Sequence, residues 1–340
     1  QTGTTEGYYR AGNSVYFHVN FTDDFSSGDD IVTVGQGGTP TIPMETREDG
    51  ATDPSATFYN NRGSGSLRFR YTVDDPEFSN ALDYVDPTTS FTLNGATIRD
   101  KAENDATLTL PVLGGGASLS NDVTYVIDTD DPDIERITST ATNGTYKLGD
   151  VIPIIVDMNE VVYLGGFGNP SDRTVDEIPL LELETGEVED GTATYVSGSG
   201  NDSLIFNYTV GSNHESLDLD YLDDRPFNWT NKRWYVIRDR AGNSWTMYSP
   251  SAPGGTNSLG NLKNIVIDGV VPSIDSVSTT TDDGYYNAGD TVDVVVYGSE
   301  KIVVTGTPKI TLETGDSDAQ VSYTSGSSTK QLNFQYIVAS

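Results

Sequence analysis

The chain contains no cysteine, so disulfides and thiolate metal sites are excluded, and the fold must be held by packed cores, hydrogen bonds and any ions it binds. Histidine occurs only as His18 and His214, which leaves little from which to build a Ser-His-Asp triad or an imidazole metal centre. No Gly-x-Ser-x-Gly elbow, phosphate-binding glycine loop or His-Glu-x-x-His helix occurs. With 51 acidic side chains, every carboxylate spacing a glycosidase uses is present and none is informative. These absences predict a non-enzymatic protein. Apolar runs of the ~18 residues needed for a spanning helix are missing as well, so no membrane insertion is expected. Basic residues are scarce, 19 against 51 acidic ones, and a net charge of -32 repels nucleic acid phosphates and anionic headgroups, which argues against both as partners. Cations are the natural counter-partners. The first residue is Gln1 rather than Met, as expected where a signal peptide has been removed.

What the chain does contain is repetition. Gly7-Tyr8-Tyr9-Arg10-Ala11-Gly12 returns as Gly144-Thr145-Tyr146-Lys147-Leu148-Gly149 and again as Gly284-Tyr285-Tyr286-Asn287-Ala288-Gly289. Between the first two copies the register holds at a constant offset of 137, so that Leu67 to Val73 matches Leu204 to Val210. Ile98-Arg99-Asp100-Lys101-Ala102-Glu103-Asn104 pairs with Ile237-Arg238-Asp239-Arg240-Ala241-Gly242-Asn243, and Val126-Ile127-Asp128 with Val266-Ile267-Asp268. A unit of about 140 residues is domain-sized, so each copy should own a core. The expected boundaries are 1–132, 133–272 and 273–340, with prolines at 132 and 272 stiffening the linkers.

Within each unit the apolar residues alternate with period two, as in Val15, Phe17, Val19 and Phe21, or Val292, Val294 and Val296. Gly, Asn, Asp and Ser clusters separate the runs, and no amphipathic helix stands out. The pattern predicts an all-β protein of tandem antiparallel sandwiches arranged as a rod. The first copy lacks the opening strand, and the third has no counterpart of Leu82 through Ile127. Three explanations stand side by side: a longer covalent array, completion by a strand from a neighbouring chain in a head-to-tail polymer, or a smaller self-sufficient unit.

Gly289-Asp290-Thr291-Val292-Asp293-Val294-Val295-Val296, with Gly306-Thr307-Pro308-Lys309-Ile310-Thr311-Leu312-Glu313-Thr314-Gly315, resembles the tandem immunoglobulin-like repeats of large microbial surface proteins, adhesins and extracellular fibres. So do Ala193-Thr194-Tyr195-Val196-Ser197-Gly198-Ser199-Gly200 and Asp239-Arg240-Ala241-Gly242-Asn243. The resemblance implies an extracellular or cell-surface location and a task as an extender. It departs at an insertion near 164–177 and at the irregular 23–30 segment, where a binding function could reside.

Three sets of residues are candidate sites. Asp100, Asp128, Asp130, Asp131 and Glu160 surround the first linker and form a candidate structural Ca2+ site, because carboxylates from two units repel until a divalent ion bridges them. Asp239, Asp268 and Glu300 form a weaker second site, since Val270 and Val271 replace Asp130 and Asp131. Turn formation through side chain to backbone hydrogen bonds is the competing role of these aspartates. Sequons at Asn20, Asn143, Asn201, Asn207 and Asn228 are candidate glycan attachment points, although so many triplets arise by chance in a chain rich in Asn, Ser and Thr. Trp229 and Trp234 are candidate sugar-stacking residues of a carbohydrate- or host-binding module, against a competing role in the core or an interface.

Overall fold

The computed structural model describes residues 7–22, 33–47, 51–62, 65–164, 180–186, 190–228, 237–245 and 251–340. The 23–30 segment, Trp229, Trp234 and all of the insertion after Leu164 lie outside the described residues. The fold is all-β: the described helices are two single turns, Leu119–Asp122 and Leu259–Leu262, at corresponding places in the first two repeats. No described helix is long and apolar enough to cross a membrane.

In the first repeat the alternating segments form an antiparallel sheet in the order Ser14–Asn20, Ser66–Thr72, Ser55–Asn61, Thr41–Pro43. Period-two patterning sends Val15, Phe17, Leu67, Phe69 and Tyr71 to one face, where they meet Tyr125 and Ile127 of a second sheet in one buried cluster. That second sheet is Gly7–Tyr9, Tyr125–Asp128, Phe78–Ser79, and its first pair is parallel. The second repeat copies the plan. Ile134–Ser139, Val151–Leu164, Asn201–Thr209, Gly191–Ser197 and Leu180–Leu183 lie side by side, and Gly144–Lys147 pairs in parallel with Ile265–Asp268. Its own cluster gathers Ile137, Ile154, Phe206, Tyr208, Ile237 and Trp245, among others.

The antiparallel expectation is therefore corrected at one place in each of the first two repeats. A whole unit of chain separates Gly7 from Tyr125, and such a long crossover is what a parallel pair requires.

The third repeat forms a five-stranded antiparallel sheet, Ile274–Thr279, Thr291–Ile302, Thr329–Ile337, Ala319–Ser325, Lys309–Leu312, over a small cluster of Val294, Val296, Val321, Leu332 and Phe334. Its Gly284–Asn287 motif, a strand in the other two copies, is not one here, and Tyr285 is fully exposed.

Candidate metal centre at the first junction

The long Val151–Leu164 strand pairs with Asn201–Thr209 as far as Asp157↔Ser203, then slips so that Val162 faces Asn201. This irregularity re-aims side chains, as β-bulges do, and Glu160 lies within it. Asp128 ends the last strand of the first repeat. Asp239 follows the short Ile237–Arg238 strand, which pairs with the far end of Val151–Leu164 beyond the slip. One carboxylate oxygen from each of Asp128, Glu160 and Asp239 lies within 4.8 Å of the others.

The Asp239 turn is locally determined. Its carboxylate accepts from the backbone N–H of Gly242 at 2.5 Å and of Asn243 at 2.8 Å, and from Asn243 Nδ2 at 2.6 Å. Gly242 has φ +96°, a left-handed conformation that glycine adopts without strain. The turn then reaches back to the first repeat. Asn243 Nδ2 donates to the Asp128 carbonyl at 2.8 Å, and Arg10 Nη1 donates to the Gly242 carbonyl at 2.7 Å. Arg240 Nη1 donates to the Tyr8 hydroxyl at 3.1 Å, and its guanidinium sits 4.5 Å from the Tyr8 ring centroid. These contacts seat the junction, and Asp239 is only 4% exposed.

Electrostatics mark the triad as under-compensated. Burial, then the charges of Asp239, Asp128, Asp130 and Asp131, push Glu160 up to about 7. Asp128 is raised by burial and then by Asp239, and Asp239 is raised by burial against the pull of its hydrogen bonds. An all-oxygen set suits a hard cation. Carboxylate oxygens this close together are near enough to share one ion at the ~2.3–2.6 Å of Ca–O bonds. Three carboxylates can fill part of a shell of about six to eight oxygens, with water supplying the rest.

Among the five residues expected at the first junction, the structure thus brings Asp128 and Glu160 together. Asp130 and Asp131 are exposed beside the triad and act on Glu160 through charge. Asp100 is not a member: its carboxylate accepts from Asn104 N and Nδ2, both at 2.7 Å, and it lines a cleft of the first repeat with Asn20 and Phe21. The expected second site is also corrected. Asp239 belongs to the first junction, and Asp268 and Glu300 join no acidic triad among the described residues. The reason is one of register. The Asp-x-x-x-Asn turn closes on the repeat before its own, so Asp100 is the counterpart of Asp239 and not a ligand beside Asp128. That signal was present in the sequence as the matching turns, without any cue to the end of the unit they occupy.

Of the sequons, Asn20, Asn143 and Asn201 are exposed, while Asn207 and Asn228 are half-buried. Asn143 Oδ1 accepts from Asn264 N, and Asn228 Nδ2 donates to Glu182. Trp245 is buried edge-on to Phe227 in the second core. His214 Nδ1 accepts from the Gly211 N–H at 3.1 Å and lies 2.8 Å from the Tyr208 hydroxyl.

No known protein family and no curated protein matches the chain.

Proposed function

We propose that this protein is a non-enzymatic structural subunit of an extracellular surface filament or adhesin stalk, built of immunoglobulin-like repeats and stiffened where they join by a divalent cation, with calcium the best fit. The observation that carries the reading is the convergence of Asp128, from one repeat, with Glu160 and Asp239, from the next. A cation there replaces mutual repulsion with a shared bond and limits bending between the repeats. Head-to-tail association extends the rod, and the acidic surface, with glycans at exposed positions such as Asn20 and Asn201, keeps neighbouring rods apart. Spin labels placed in the first and second repeats test the reading. Calcium should narrow the distance distribution between them in the native chain and leave it unchanged in Glu160→Gln. An equally broad distribution with and without calcium would remove the cation-stiffened rod.

A further inference from the structure

The outer face of the larger sheet of the first repeat carries side chains that the repeat plan does not call for. With Val15, Phe17, Leu67, Phe69 and Tyr71 turned to the core, alternation turns Tyr16, Arg68 and Arg70 outward. On the neighbouring strand the register slips between Phe58 and Asn60, and Tyr59, within the slip, is 48% exposed. These four side chains form one stack. The Arg68 guanidinium sits 4.2 Å from the Tyr16 ring centroid and 5.7 Å from that of Tyr59, and the Arg70 guanidinium sits 5.6 Å from Tyr59. The two rings meet edge-on at 5.3 Å.

The fold does not require this stack. At the constant offset of 137 the second repeat has Pro153, Val196, Ile205 and Asn207 in these places, yet it builds the same ladder with the same slip, between Tyr195 and Ser197. The third repeat pairs its strands in the same way with Asp293, Thr324, Asn333 and Gln335 there. Charge sets the face further apart. The chain holds 51 acidic residues, but the four strands of this sheet contain none. Among the described residues, no carboxylate pairs with Arg68 or Arg70, and neither guanidinium donates a hydrogen bond. Arg68 Nε is buried without an acceptor, and Arg70 is exposed.

We propose that this face binds an acidic polysaccharide, one that carries carboxylates at intervals along a chain of otherwise neutral sugars. A guanidinium stacked on a ring is held in place by its flat face and keeps its in-plane N–H groups for an acceptor, in the fork that matches a carboxylate. Two such forks at alternate positions of one strand stand about 7 Å apart along it. The outward positions around them are Ser14, Thr57, Asn60, Ser66 and Thr72, hydroxyls and an amide that suit sugar hydroxyls. The aliphatic anchors that centre a protein interface are absent from these positions, whereas the second repeat has Val196 and Ile205 at the equivalents of Tyr59 and Arg68. Charge density separates the ligand from nucleic acid. Duplex DNA carries a charge about every 1.7 Å, which a chain of net charge -32 repels, while widely spaced carboxylates can meet two arginines without crowding the acidic surface beyond. This site is distinct from the junction carboxylates and does not rest on the cation-stiffened rod.

The test is binding of hyaluronate oligosaccharides, whose carboxylates fall on alternate sugars, to the full chain in the presence of a chelator, so that no calcium bridges the two. Binding should be saturable, weakened about tenfold or more in the Arg68→Lys, Arg70→Lys double variant, which keeps the charge and loses the forks, and lost in Arg68→Gln, Arg70→Gln. Neutral dextran should not bind, and polyglutamate should bind at least about tenfold more weakly than hyaluronate. In the native chain, hyaluronate should shift the side-chain Nε–H resonances of Arg68 and Arg70, a readout that needs no variant to fold. No hyaluronate binding, or binding that leaves those resonances in place, overturns the site. A lysine variant that binds as well as the native chain overturns the guanidinium forks in favour of diffuse charge. Polyglutamate binding as tight as that of hyaluronate overturns the saccharide and assigns the face to an acidic peptide.

Discussion

Glu160 carries the clearest pH signature in the molecule. Its folded pKa, about 7, lies above its ordinary value of 4.5, so the folded junction holds the proton more tightly than the unfolded chain. Stability from this group is fully present below about pH 4.5 and is lost as pH rises through about 7. The metal-free protein is therefore expected to melt at progressively lower temperature across that window, and Glu160→Gln, which keeps the shape without the charge, should abolish this part of the slope. Calcium should reverse the trend, because ionised carboxylates are the ligands and binding then strengthens with pH over the same interval. Thermal melts at several pH values, with calcium and with chelator, check both signs. A second residue-scale expectation concerns Arg240, which grips Tyr8 across the junction. Arg240→Ala should broaden the distance distribution between labelled repeats even in saturating calcium, while leaving the melting of each repeat within about 0.5 kcal/mol of native, as for surface substitutions generally.

Among the elements, the hairpins that set strand register are the most sensitive to change. Gly198 turns the chain between Gly191–Ser197 and Asn201–Thr209 at φ +121°, and a Cβ there would lie 2.1 Å from the Ser203 carbonyl oxygen. Gly326 repeats this in the third copy at φ +112°, 2.0 Å from the Gln331 carbonyl oxygen. Gly198→Ala should cost about 1–3 kcal/mol, read from chemical denaturation, with the loss confined to the second repeat. Phe206→Ala, which empties the centre of the same core, should cost about 3–5 kcal/mol. Such strands were legible in the sequence because alternation exposes one buried face, and Phe69 and Phe206 could be placed in the core from parity alone. The parallel Gly7–Tyr9 strand was not legible, since three residues carry no alternation and its partner lies a full repeat away. The slip after Asp157 was hidden for the opposite reason: the apolar pattern runs on through Val161 and Val162 as if the ladder were continuous. Asp128 and Glu160 could be assigned to one site from position in the repeat, whereas Asp239 required knowing which end of the unit its turn occupies.

At the scale of the whole molecule, repetition and charge act together. Each of the first two repeats buries its own cluster, so the packing inside a repeat is distinct from the polar contacts that join the two. A net charge of -32 opposes compaction and favours bound cations, but diffuse screening and a built seat differ in stoichiometry and in their dependence on single residues. Calcium titration of the metal-free chain by calorimetry, in enough potassium chloride to screen the surface, separates them most directly. One ion should bind per chain at the first junction, lost in Glu160→Gln and in Asp128→Asn, with net proton release near pH 7 that disappears with Glu160. Binding that is absent, or that is the same in both variants, would contradict the built seat.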